Sequence, residues 1–175
     1  MSDNAMKKVM GPIVSSSHLA DGALPALSEL EFGMILAGHA FDRWMVRCMT
    51  AAGEPGLNGT DVLVLHSCAH RERPKRLADL CSVLGIEDTH LVIYAVKKLE
   101  KRGLVKSSRS GKEKLISATE KGRETCLTYR AVRERLLVES VKGLGLDPDA
   151  TSAVAATLRA LSGHYDQAAR AASSL

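Results

Sequence analysis

Apolar residues recur every three or four positions along most of this chain, the rhythm of helices with one buried face. Between Leu27 and Ala52, the positions Leu30, Met34, Ala37, Phe41, Met45 and Cys48 predict one long helix, closed by Gly53, Pro55 and Gly56. Asn58 is placed to cap a second helix through about His70. Its inner stripe would be Val62, Leu63, Leu65, His66 and Ala69, with Asp61 adding negative charge to the first turn. Beyond Pro74, Lys75 to Leu84 reads as a short helix whose apolar residues Leu77, Leu80, Cys81 and Leu84 share one face. Gly85 breaks it, and Asp88 or Thr89 caps the next helix, which runs to about Arg102 and stops at Gly103.

The rhythm changes after Gly103. Leu104–Ser107 and Lys114–Ser117 are short strand candidates joined through Ser110 and Gly111. Thr119 then caps a long helix to about Lys142, with Val132, Leu136, Leu137 and Val141 as its apolar surface. Gly143, Gly145 and Pro148 interrupt. A last helix from Asp149 to about Ala172 carries Val154, Leu158, Leu161, Tyr165 and Ala168 at alternating four and three spacing, the seam of a coiled-coil-like contact. The weakly patterned residues 1–26 are expected to form a flexible arm.

Short helix, glycine turn, second helix and ribbon follow one another between Leu77 and Thr119, the plan of a winged helix-turn-helix. At 100° per residue, Val92, Val96 and Leu99 of the second helix gather on one side with Ala95 at the edge. His90, Tyr94, Lys97 and Lys101 lie opposite, with Leu91 and Lys98 on one flank and Ile93 on the other. Such a face suits a DNA groove: cations for phosphates, Tyr and His for base edges or phosphates, aliphatics for thymine methyls.

Charge sharpens that picture. The chain of 175 residues carries a net charge of only +4, yet Arg71 to Lys114 holds twelve Lys and Arg against six Asp and Glu, a net of +6, leaving −2 elsewhere. A basic segment in a near-neutral chain suits a polyanion. Apolar content (45%) and charge (25%) are ordinary, and aromatics are scarce, so the core is expected to be aliphatic and helical. Trp44 is assigned to packing ahead of a ligand contact, and His39 reads as a core histidine ahead of an effector-site residue. No apolar run could span a membrane and no signal peptide opens the chain, so a soluble cytoplasmic protein is expected.

Other chemistry is poorly supported. No nucleophile elbow, P-loop or dinucleotide fingerprint is present, and no enzyme is expected. Cys48, Cys68, Cys81 and Cys126 are widely spaced and read as reduced, partly buried thiols. In HSCAH, His66 and His70 share a helix face but Cys68 lies on the other side, so no metal or cofactor is assigned.

KLEKRGLV at Lys98 to Val105 resembles the end of the recognition helix and the entry to the wing in MarR-type transcriptional regulators. ATEKG at Ala118 to Gly122 resembles the family's exit from the wing, with Ala118 where Leu is usual. The resemblance covers roughly Asn58 to Gly122. It departs at the wing tip, where the family's acid-x-Arg element is replaced by Ser110-Gly111-Lys112; Arg109 and Lys112 become the candidates for the minor groove. The turn before the recognition helix is also about one residue longer than the family's.

The resemblance implies a homodimer on a pseudopalindromic operator, its interface formed by the first and last helices. It also implies a small-molecule effector, unidentified here, between those helices and the winged lobes. The expected fold class is mainly α with a small β-wing: a winged helix-turn-helix over 58–122, flanked by dimerisation helices over 27–57 and 123–175. The expected function is a sequence-specific regulator of transcription, by default a repressor, whose partners are double-stranded DNA, a second copy of the chain and the effector. The expected DNA-contacting residues are Lys75, Arg76, Thr89, His90, Tyr94, Lys97, Lys98, Lys101, Arg109 and Lys112. Two alternatives stand beside it: a winged helix used for protein–protein contact, and a thiol- or metal-sensing regulator.

Overall fold

The computed structural model describes residues 11–111 and 113–175; Lys112 and the first ten residues of the expected arm lie outside the described residues. The described part of that arm is partly helical, with a single turn α1 (Ser17–Ala20) held by the Ser28 hydroxyl donating to the Leu19 carbonyl. Pro25 then opens the long helix α2 (Pro25–Ala51) at a position where its missing N–H costs nothing. Only the C-terminal end of α2 is buried, through Met45, Cys48 and Met49. Ile35, Leu36 and Phe41 remain exposed. His39 is exposed as well, so it is not the core histidine expected.

The central helix is α3 (Gly59–Ala69). It packs against α2, α4 (Leu77–Leu84), α5 (Thr89–Lys101) and the last strand of the sheet. Because neighbours surround it, its buried set of Val62, Val64, Leu65 and Cys68 is broader than the single stripe expected from one buried face. Leu80 from α4 and Val92, Val96 and Leu99 from α5 complete the core, with Leu104 and Ile116 beyond them. Each such aliphatic stabilises the fold by about 1.5–3 kcal/mol.

A 3-10 turn at His70–Glu72 carries two non-glycine residues in the left-handed region, Arg71 (φ 57) and Glu72 (φ 50). The Lys75 ammonium braces it by donating to the carbonyls of His70 (3.0 Å) and Arg73 (2.8 Å). Lys75 and Arg76 then form a short strand, β1, where a helical start was expected. The wing is therefore a three-stranded antiparallel sheet of order β1-β3-β2, with β2 at Val105–Ser110 and β3 at Glu113–Ala118. Lys75 faces Ile116 and Arg76 faces Leu115 in register, while β2 and β3 pair from Val105–Ala118 to Ser110–Glu113.

Thr119 couples the sheet to the next helix, α6 (Glu120–Arg133). Its hydroxyl donates to the Gly103 carbonyl (2.6 Å) and accepts the Gly122 N–H (3.0 Å). A Cβ on Gly122 would overlap the Leu104 carbonyl oxygen, so only glycine lets this backbone approach so closely. A π-helical turn at Glu134–Val138 and a short α7 (Glu139–Lys142) continue the chain. Asp147 caps α8 (Pro148–Ala172), whose Val154, Leu158 and Tyr165 are exposed. The chain divides into a unit ending at Arg130 and a second unit, Ala131–Leu175.

Candidate nucleic-acid interface

Gly85 sets the turn between α4 and α5. Its φ of 63° and ψ of 32° are left-handed, and they allow the Ile86 N–H to return to the Cys81 carbonyl at 3.0 Å. Asp88 caps α5 by accepting the His90 N–H at 2.9 Å. Val92, Ala95, Val96 and Leu99 are buried against α3 and α4. Thr89, His90, Tyr94, Lys97 and Lys101 are all exposed, together with Leu91. The two faces deduced from helical periodicity are thus the two faces observed.

Lys98 is the exception among the expected contacts. Its ammonium lies 2.6 Å from a carboxylate oxygen of Asp61, whose side chain is 3% exposed. The same oxygen accepts the Asn58 N–H at 2.8 Å, and Asn58 returns the favour to the Asp61 N–H. One carboxylate thus caps α3 and holds α5. Lys98 belongs to the scaffold of the helix, because a nearly buried carboxylate outcompetes solvent for it.

The C-terminal end of α5 is anchored by another buried acid. Glu54 receives Arg102 (3.2 Å) and Lys121 (2.7 Å), and Lys121 also donates to the Arg102 carbonyl (3.0 Å). Burial pushes the Glu54 carboxyl up, but the bonds and charges of Lys121 and Arg102 outweigh it and hold the group below its ordinary value. Sequence patterning showed neither Glu54 nor Asp61 in these roles. The only advance signal was the Asn58–Asp61 spacing, which is that of a capping box.

Beside α5, Arg76 sits at the start of α4. Its guanidinium forks onto Asp79 (2.9 Å) and reaches Glu113 at the start of β3 (3.5 Å), tying α4 to the wing. Lys75 is occupied with the preceding turn. Glu100 of α5 accepts from Ser107 and pairs with Lys114 at 3.6 Å, so α5 and the wing are joined from that side too. Gly111 makes the left-handed wing turn at φ 60°, and Arg109 is exposed close to it on β2. The structure therefore gathers His90, Tyr94, Lys97 and Lys101 on one helix face, exposes Thr89 at the first turn of that helix, and carries Arg76 and Arg109 on the sheet.

The HSCAH residues do not converge. His66 is partly buried and packs edge-on against Tyr129, centroids 4.6 Å apart, and burial pushes its pKa down. His70 is exposed. Among the described residues, no group of three or more His, Cys, Asp or Glu is placed to hold a metal ion. Burial pushes the thiols of Cys68 and Cys126 up to about 12 and about 11, which keeps both protonated and poorly nucleophilic. A cavity of about 310 Å³ opens between α3 and α4, walled by Leu63, Leu80, Val83 and Leu84, with His66 and Lys75 also lining it. No helix among the described residues is long and apolar enough to cross a membrane.

Residues 57–122 match the family described as "Winged helix DNA-binding domain". No curated protein matches the sequence. Three solved structures share the architecture. A MarR-family transcriptional regulator from Rhodococcus sp. RHA1 is 20% identical, with a TM-score of 0.60 over 83% of this chain and 96% of that one. AbfR of Staphylococcus epidermidis is 18% identical, with a TM-score of 0.65 over 85% of this chain and 99% of that one; AbfR is also solved bound to DNA. CouR from Rhodococcus jostii RHA1, solved bound to p-coumaroyl-CoA, is 19% identical, with a TM-score of 0.60 over 75% of this chain and 90% of that one. The chain carries a winged-helix domain on the fold of the MarR-family regulators.

Proposed function

We propose that this chain is a sequence-specific transcriptional regulator that grips duplex DNA as a homodimer, with α5 in the major groove and the wing on the neighbouring backbone and minor groove. The observation that carries the reading is the outward face of α5. His90, Tyr94, Lys97 and Lys101 are exposed together on a helix whose other side is locked into the core, with Thr89 exposed at its first turn. Cations there neutralise phosphates while the hydroxyl, imidazole and phenol groups reach base edges. Arg76 at the sheet edge, Arg109 and Lys112 of the wing extend the contact. Lys75 is assigned to bracing the turn before β1 and Lys98 to the Asp61 pair.

A second copy supplies what the single chain lacks. Ile35, Leu36 and Phe41 on α2, and Val154, Leu158 and Tyr165 on α8, are exposed apolar residues on long helices. Pairing such helices buries them and sets two copies of α5 at successive turns of an inverted repeat. Occupancy of a promoter by the dimer would repress transcription. A small-molecule effector fits the same reading, with the cavity between α3 and α4 as one space that could take it.

Selection of duplexes from a random pool tests this function. The expected result is an enriched inverted repeat bound by a species of twice the 18.8 kDa chain mass in sedimentation. Absence of enrichment, or binding that ignores salt concentration, would overturn it in favour of a protein–protein role.

A further inference from the structure

The chemistry missing from α5 is as informative as what is present. Guanine is most often read by Arg or Lys, and adenine by Asn or Gln. The helix THLVIYAVKKLEK contains no Arg, Asn or Gln. Of its Lys residues, Lys98 is turned back onto Asp61, and Lys97 and Lys101 lie in the C-terminal half. In a helix-turn-helix the N-terminal residues of the recognition helix meet the bases. There the Asp88 carboxylate already occupies the His90 N–H, which leaves that amide unavailable to a phosphate. The large groups offered at this end are apolar or aromatic: Leu91 is 50% exposed and Tyr94 is 66% exposed, one turn apart. Lys98, the cation nearest Leu91 on the helix surface, is paired with Asp61, while Lys97 and Lys101 lie further along the helix from Leu91 and Tyr94.

We infer that α5 distinguishes its half-site through the C5-methyl groups of thymine, with Leu91 as the side chain that meets them and Tyr94 beside it. The major groove exposes that methyl only at A·T pairs, and an aliphatic side chain is its natural complement. Thr89 and His90 then fix position through hydrogen bonds, and Lys97 and Lys101 supply sequence-independent attraction to phosphates. The inference rests on the DNA-reading function proposed above and names the base chemistry it uses.

The test starts from the selected inverted repeat and the full-length protein. Each thymidine of a half-site is replaced in turn by deoxyuridine, which removes the methyl and leaves every hydrogen-bonding group unchanged. At one or two positions the dissociation constant is expected to rise about fourfold, and about fifteenfold when both half-sites are changed, on the transfer value of one methyl group. Leu91→Ala should weaken binding to the thymidine duplex and abolish the deoxyuridine effect at its position, while leaving the salt slope intact. A circular dichroism melt of the variant checks its folding, and the deoxyuridine series on the unchanged protein needs no variant. Uniform indifference to deoxyuridine would overturn the inference, as would a deoxyuridine effect that persists in Leu91→Ala, although operator binding itself would still stand. Failure to select any duplex would remove the DNA-reading function and this inference with it.

Discussion

Replacing Asp61 with alanine removes two bonds from one nearly buried atom. Its Oδ2 accepts the Asn58 N–H at 2.8 Å and the Lys98 ammonium at 2.6 Å, with 3% of the side chain exposed. Loss of the capping half costs about 1 kcal/mol. Loss of the charge-assisted bond costs about 1–2 kcal/mol, at the low end because Lys98 is 38% exposed and can turn to water. The sum of about 2–3 kcal/mol corresponds to a melting temperature lowered by roughly 5–10 °C in a protein of this size. Thermal melts at one fixed protein concentration measure it, since a dimer would make the midpoint concentration-dependent. Lys98→Met keeps the aliphatic stem but leaves the Asp61 charge buried and unpaired, and it should destabilise by a similar amount. Asp61→Ala combined with Lys98→Met should then cost clearly less than the two single changes added together. A midpoint within 1 °C of the unchanged protein, or strict additivity of the pair, would refute the assignment of Lys98 to the scaffold.

The remaining predictions use different readouts. Lys97→Ala is expected to lower the slope of log affinity against log salt by about 0.9, whereas Lys98→Met leaves it unchanged; equal effects would show both lysines on phosphates. His66 is pushed below its ordinary 6.5 by burial, so the folded chain holds it neutral and the unfolded chain binds the extra proton. Its contribution is fully present above pH 6.5 and is lost as the pH falls from there through the lower folded value; in urea melts His66→Phe should flatten that limb, and an unchanged limb would contradict the burial argument. Gly122→Ala forces a methyl onto the Leu104 carbonyl and should cost about 1–3 kcal/mol in the same melts, with a neutral result showing that α6 can move aside.

Much of the fold around α5, and which faces of α5 are buried and exposed, was legible in the sequence. Asn58, Gly85 and Gly103 punctuate the chain through local backbone chemistry, so the helices they bound fell close to where the spacing put them. The faces of α5 follow from a rotation of 100° per residue, which is a property of the helix and not of its neighbours. The exposed middle of α2, residues 35–43, was less legible: its stripe of apolar residues looks the same whether it is buried or bare.

Local order along the chain was enough to determine the elements, their sequence and the outward face of α5, because caps, turns and helical periodicity act over a few residues. Tertiary structure alone decided the third strand of the wing, since β1 holds only two residues and exists through pairing with Ile116 and Leu115 some forty positions on. It alone also turned the flank position of Lys98, as against the outward one of Lys97, into a pairing with Asp61. Both are lysines on one helix, and only the placement of Asp61, capped on a different helix, draws one inward and leaves the other facing out. Long-range partners carry no mark in the local pattern, because any exposed lysine can be solvated until a buried carboxylate is brought within reach.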